Sequence, residues 1–330
     1  MSGAGRPGGS AAVSAGGWSV VIPTRNTRTL TCRCLESLEP LEGLQRIVVD
    51  DASDDGTLAE IERRFTGVEV VRFEENAGFT AAVNAGLARA GGHHLLLLNS
   101  DTEVPLASWP PLLRAFESRP GLGIAGAQLV FPDGDLQWSG GAEPTRAWLF
   151  ALASGLPQVL AWIPGYDRFR RRRRQSGAGV DWVTGAAMAF RRVVWDQVGP
   201  FDTRYRFYCQ DLAFCVRARK AGWEVAILPE FRVVHHQGAT IGGVTGAAGR
   251  QNPELLWSDL ALWALDRHRE AGARTAIRAM RRGARLRLWF RAVAGLFRFG
   301  RARERWSRDS LSYRRALGSL ENLADEGSSR

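Results

Sequence analysis

Apolar positions along the chain fall into short unbroken runs closed by polar or chain-breaking residues. Residues 18–22 (WSVVI) stop at Pro23-Thr24-Arg25-Asn26, and residues 46–49 stop at the acidic stretch Asp50-Asp51-Ala52-Ser53-Asp54-Asp55. Residues 68–73 form a third run, and the four leucines of residues 94–104 (HLLLLNSDTEV) end at Asn99, Ser100 and Asp101. Such runs read as strands buried on both faces, as in a parallel sheet. Between them, leucines at positions 30, 35 and 38 and an alanine-rich stretch over 80–89 have helical spacing. Strands alternating with helices predict stacked β-α-β units, and right-handed crossovers align Pro23, Asp50, Asn76 and Asp101 along one rim. Ligands of open α/β sheets collect outside the carboxyl ends of strands, so this rim is a candidate nucleotide site. Asp101 would hold a metal ion or a phosphate-bound cation there, or else cap the helix that opens near Pro105. Within the acidic stretch, Asp50 lies nearest the strand end and takes the functional reading, while Asp54 or Asp55 caps a helix.

After Pro105 the pattern changes. Residues 122–130 and 180–190 read as strands, and a Trp- and Gly-rich insertion between them carries five consecutive arginines, Arg170 to Arg174. That run is a solvated loop or a contact for an anionic acceptor or membrane surface. Residues 207–212 lead into a helix with Leu212, Cys215, Val216 and Arg219 at helical intervals, and residues 232–236 (RVVHH) end a further strand. Residues 255–269 then read as an amphipathic helix. Residues 277–299 mix arginine with large apolar residues, which suits a helix lying in a membrane interface with Trp289, Phe290 and Phe297 toward acyl chains. Helices packed on the domain, or a dimer contact, are the other readings. The expected organisation is a disordered tail over 1–17, an α/β domain over 18–245 with a nucleotide-binding half (18–104) and an acceptor half (105–245), and a helical segment over 246–330.

Composition narrows the partners. The 330 residues carry a formal net charge of +10, and Lys220 is the only lysine. A basic, arginine-dominated chain favours anionic partners such as sugar nucleotides, lipid headgroups or nucleic acid. Cys32, Cys34, Cys209 and Cys215 have neither zinc-site spacing nor the density of a disulfide scaffold, which predicts reduced thiols and a cytoplasmic protein. The Gly-, Ala- and Ser-rich start lacks the apolar core of a signal peptide. No run of about 18 apolar residues occurs, so any membrane association is expected to be peripheral, on the cytoplasmic face.

The motifs VVIPTRN, VVDDASDDGT, ENAGFTAAVNAG and LLLLNSDTEV, in that order and spacing, resemble glycosyltransferase family 2, and the likeness continues to about Thr240. The resemblance implies an α/β fold of GT-A type: a Rossmann-like, mostly parallel mixed sheet flanked by helices, here with a C-terminal helical extension. It implies that a nucleoside-diphosphate sugar meets Pro23, Thr24, Arg25, Asn26, Asp50, Asn76, Gly78, Phe79, Asn84, Asn99, Ser100 and Asp101. The stretches TGAAM, holding Gly185 and Ala186, and VGPFD resemble the acceptor side. Cys209-Gln210-Asp211 stands where the family usually has Gly-Glu-Asp, which keeps the aspartate, removes one charge at Gln210, and places a general base at a helix N-terminus that favours its ionised form. Asp101 and His235, with His236 the second choice, resemble ligands of a divalent metal, Mn²⁺ or Mg²⁺. Asn99 replaces the first carboxylate of the common Asp-x-Asp pattern.

The activity so implied is inverting glycosyl transfer. Asp211 takes the proton of an acceptor hydroxyl, the metal offsets the charge of the departing diphosphate, and the rim aligns the donor. The likeness is nearest a rhamnosyltransferase-type branch, with a dTDP- or UDP-linked sugar and a lipid-linked or polysaccharide acceptor in cell-envelope assembly; no nucleic acid partner is expected. Two rivals stand beside it. A sugar-phosphate nucleotidyltransferase would need a glycine-rich loop after the first strand, where Pro23 to Asn26 contains no glycine. A non-catalytic binder of membrane or nucleic acid would make Gln210 a mark of lost activity.

Overall fold

The computed structural model describes residues 13–160, 180–236, 252–268, 270–296 and 300–326. The arginine run 170–174, residues 237–240 and Phe297 lie outside them. The central sheet has eight strands: β1 (Trp18–Thr24), β2 (Gln45–Asp50), β3 (Val68–Arg72), β4 (His94–Leu98), β5 (Thr102–Glu103), β6 (Leu122–Val130), β7 (Ala187–Arg191) and β8 (Glu224–His235). Their spatial order is β3-β2-β1-β4-β7-β6-β8-β5. Strands β1 to β4 run parallel, β7 runs antiparallel to both β4 and β6, and β8 is parallel to β6. The sheet is therefore mixed and mostly parallel.

The apolar runs behave as expected. All of β1 is buried, as are Leu95 to Leu98 of β4. Strand β1 continues through Pro23 and Thr24 instead of breaking at the proline, because beyond Val21 it pairs only with β2 and the missing proline N–H faces no partner strand. One core lies on the sheet face covered by α1 (Arg28–Glu36), α2 (Thr57–Arg64) and α4 (Trp109–Ser118). The other lies under α3 (Phe79–Arg89), α6 (Arg192–Val198) and α7 (Gln210–Lys220). Helix α5 (Arg146–Ser154) and the C-terminal helices α8 (Pro253–Arg267), α9 (Glu270–Gly295) and α10 (Gly300–Glu326) join this second core through Leu149, Trp257, Leu260, Met280 and Leu320.

The small residues of α3 serve packing against the sheet. A Cβ on Gly86 would overlap the Val21 side chain and sit 2.9 Å from Val49 Cγ2, so the helix lies directly on β1 and β2.

Candidate active site

Strand pairing brings the site together. His235 sits opposite Thr102 in the short β8–β5 ladder, and the backbone N–H of His236 donates to Asp101 O at 2.9 Å. This register places His235 Nε2 3.4 Å from Asp101 Oδ1, with both side chains about nine-tenths buried. Asp101 does not cap a helix: the next α-helix starts at Trp109, behind Ser108. His236 turns the other way, onto Glu103 at 2.7 Å, so of the two histidines it is His235 that lines the cavity.

Gln137 decides which nitrogen of His235 carries the proton. Its amide N–H₂ donates to Val130 O (3.2 Å) and His235 O (2.6 Å), which turns Oε1 toward His235 Nδ1 at 2.9 Å. An acceptor oxygen at Nδ1 requires a proton there and leaves the Nε2 lone pair aimed at the carboxylate. Asp101 Oδ1 is buried and accepts no hydrogen bond within the described residues. Two lone-pair donors facing each other in a buried place fit a divalent cation, and Nδ1 held by an amide is the usual outer support of such a ligand.

The general-base candidate stands across the same cavity. Asn99 N donates to Ala186 O, which continues the β4–β7 pairing beyond the strand ends. The adjoining Gly185 N donates to Asp211 Oδ2 at 2.9 Å, and Leu212 N donates to Oδ1 at 2.8 Å. The helix start was expected to favour ionised Asp211, but burial outweighs those amide bonds and raises its affinity for a proton above that of an ordinary aspartate. Cys209, which precedes α7, has φ 65°. That left-handed conformation explains why glycine suits this position in the Gly-Glu-Asp pattern. Gln210 is buried, lines the cavity, and its Oε1 has no hydrogen-bond partner among the described residues.

These groups surround a cavity of about 640 Å³. Pro23, Thr24, Arg25, Asn76, Gly78, Phe79, Asn99 and Ser100 line its rim, and Gly185 and Ala186 its floor. Thr24, Thr27, Thr31 and Ser100 join hydroxyl to hydroxyl at 2.7–3.0 Å, which ties the loop after β1 to the end of β4.

Three expected rim residues lie off the cavity. Asp50 is the last residue of β2 and points under the loop, with Ser53 N at 3.4 Å from Oδ2. The next residue, Asp51, lines the cavity instead and accepts from Ala77 N (2.7 Å) and Gly78 N (3.1 Å). Asn26 braces the two rim loops through Ser53 and Asp54. Asn84 is spent on both backbone groups of Phe201. The cap position of α2 is Gly56; Asp55, just before it, accepts from Thr57 N at 3.0 Å and from Arg28 N at 3.1 Å, so neither Asp54 nor Asp55 is the cap residue itself.

Asp259, on α8, was not anticipated. Its buried carboxylate accepts from the backbone N–H groups of Arg206, Phe207 and Tyr208 at 3.4, 3.2 and 2.8 Å and so shapes the loop leading to Asp211. A lone aspartate within the apolar stretch around Trp257 and Leu260 was the available signal. Non-glycine residues with positive φ, among the described residues, are Asn26, Ala52 and Cys209, each in a loop at this end of the sheet.

Several known proteins are similar to this chain. The N-acetylglucosaminyl-diphospho-decaprenol L-rhamnosyltransferase of Mycobacterium tuberculosis is 28% identical over 209 residues, which is 59% of this chain and 67% of that protein. The O-antigen biosynthesis protein RfbC of Myxococcus xanthus is 29% identical over 165 residues, 49% of this chain and 12% of that one. A protein of Sinorhizobium fredii, y4gI, is 28% identical over 241 residues, and the match spans only 25% of its length. Among solved structures, a mannosyltransferase from Pyrobaculum calidifontis in complex with GDP-Man and Mn²⁺ superposes with a TM-score of 0.51 at 15% identity, covering 93% of this chain and 87% of that one. TarS from S. aureus gives 0.51 at 16% identity, covering 80% of this chain and 43% of that one. These two likenesses show the fold, that of GT-A glycosyltransferases. The family model described as Glycosyl transferase family 2 matches residues 19–198, more than half of the sequence, and the chain belongs to that family as a glycosyltransferase.

Proposed function

We propose that this glycosyltransferase works with inversion, moving a sugar, rhamnose as the leading candidate, from a dTDP- or UDP-linked donor to a hydroxyl of a lipid-linked or polysaccharide acceptor in cell-envelope glycan synthesis. The observation that carries the reading is the meeting of Asp211 with the Asp101–His235 pair on one cavity. Asp101 and His235 would hold a divalent cation, which when bound supplies positive charge against the departing diphosphate. Asp211 accepts the proton of the acceptor hydroxyl as its oxygen bonds to the anomeric carbon and the bond from that carbon to the diphosphate breaks. A proton affinity raised by burial suits that role. The Asp51-bound loop over 76–78 and the hydroxyl-tied β1 loop orient the donor.

Two features support the acceptor assignment. One wall of the cavity is apolar, made by Pro144, Trp148 and Leu152 around α5 and by Leu255, Leu256 and Leu260 of α8. The mycobacterial relative, by its name, acts on a diphospho-decaprenol. A lipid tail on the acceptor would also bring the enzyme to a membrane surface on the cytoplasmic side.

The test is a melting-temperature panel of nucleotide sugars with Mn²⁺, run on wild type, Asp101→Ala and Asp211→Asn. Stabilisation by one donor that needs both metal and Asp101 but survives Asp211→Asn is the expected result. Absence of stabilisation by any donor would overturn the reading.

A further inference from the structure

The C-terminal arginines do not act as one group. On α9, Arg287 donates to Leu152 O at 2.7 Å and lies 4.6 Å from the Tyr313 ring centre, and Arg291 lies 3.8 Å from that of Trp306 and donates to Ser310 Oγ. These are packing arginines. Positions 278, 282, 285, 289, 293 and 296 are spaced by three or four residues, so they form one stripe along the helix and its exit. Arg278, Arg282 and Arg285 open the stripe and are exposed, Arg285 sharing one N–H with Glu321 at 2.8 Å. Trp289 (59% exposed), Val293 (40%) and Leu296 (74%) close it, with Phe290 (41%) beside them. No acidic residue occurs between positions 271 and 296.

We infer that this stripe is a membrane-docking face, on which Arg278, Arg282 and Arg285 meet the phosphates of an anionic bilayer and Trp289, Val293 and Leu296 enter its interfacial layer. The inference deepens the lipid-linked acceptor reading by naming the surface that serves it. A bilayer offers anionic headgroups and acyl chains side by side, which is the order of chemistry along the stripe. A second copy of the chain matches only half of it, because an isologous contact that pairs the apolar tips leaves Arg278 and Arg282 with no acidic complement on the stripe. Among the described residues no helix is long and apolar enough to cross a membrane. The opposite side of α9 rests on α5: a Cβ on Gly283 would come within 2.5 Å of Phe150 O, and α5 carries Trp148 and Leu152 of the apolar cavity wall. Docking through α9 therefore holds that wall one helix away from the bilayer.

Co-sedimentation of the full chain with phosphatidylcholine vesicles, with and without phosphatidylglycerol, tests the assignment. Wild type is expected to bind the anionic vesicles in a salt-sensitive way. R278A with R282A should weaken binding about fivefold per arginine, and W289S/V293S/L296S should weaken it at low and high salt alike, both variants keeping the wild-type melting temperature. Failure of wild type to bind anionic vesicles, or equal binding by the serine variant, would overturn the proposal. So would a concentration-dependent dimer in sedimentation velocity that the serine substitutions abolish while no vesicle binding is seen. Donor-induced stabilisation, read on the same samples without vesicles, separates failure of this surface from failure of the glycosyl-transfer reading.

Discussion

Burial of Asp211 makes a pH statement that can be checked on the folded protein. A carboxyl whose proton affinity is raised on folding favours the native state at acid pH and loses that contribution as pH rises through its folded pKa. Melting curves of wild type and Asp211→Asn across the acid range should show wild type losing stability relative to the variant as pH increases. The same substitution should lower turnover by about 10²–10⁴, and the acid limb of the wild-type rate profile should lie above the usual aspartate range. Gln137→Leu removes the acceptor that holds His235 Nδ1–H. Mn²⁺ affinity, read by the electron paramagnetic resonance of free Mn²⁺, is expected to fall about 10–100-fold. Unchanged Mn²⁺ binding would show that the amide has no part in orienting the histidine. Asp101, His235 and Asp211 could be singled out in the sequence because each lies at or beside the end of an element, and the fold brings all three to one cavity. Asp51 was not singled out: Asp50 does end β2, but its side chain lies under the loop and it is the next position that faces the cavity, which hydrophobic pattern alone does not show. Gln137 was not legible, because only the fold brings it to His235.

At the scale of elements, close helix–sheet contact sets where the rim lies. Gly86→Ala forces a methyl onto Val21 and Val49 and is expected to cost about 1–3 kcal/mol through overpacking. Gly91→Ala, whose new Cβ meets nothing nearer than Gln45 Oε1 at 3.7 Å, should stay within about 0.5 kcal/mol. Thermal melts of the two variants compare them directly, and equal losses would mean that α3 shifts freely on the sheet. Strands β1 to β4 and their helices were readable because continuous apolar runs mark doubly buried strands. The β5–β8 ladder was not: two residues after Asp101 carry no periodicity, yet their pairing is what sets His235 beside the carboxylate.

For the whole molecule, the C-terminal helices are part of the catalytic body. Trp257, Leu260, Trp263 and Met280 belong to the core that also holds Leu97 and Leu212, so a chain ended before α8 should be insoluble when expressed. Asp259→Ala keeps the helix but removes the acceptor of three backbone N–H groups, at about 1–3 kcal/mol if they stay buried. Its expected signature is a turnover loss larger than the loss of donor-induced stabilisation, because the loop it holds leads directly into Asp211 at the start of α7. The sequence offered helices packed on the domain only as one reading of the segment that departs from the sheet pattern after residue 245, because contacts between distant segments leave no local trace.

The left-handed conformations of Asn26, Ala52 and Cys209 have a further consequence for engineering. A residue such as Ala52 or Cys209 held there costs about 1–2 kcal/mol, less for an asparagine, and all three sit in loops at the site end of the sheet. Glycine at these positions would relieve torsion and also loosen the loops that the rim depends on. Selection for heat resistance and selection for turnover should therefore pull the codons of Ala52 and Cys209 in opposite directions, whereas glycine at position 26 would also lose the side-chain acceptor of Asp54 N.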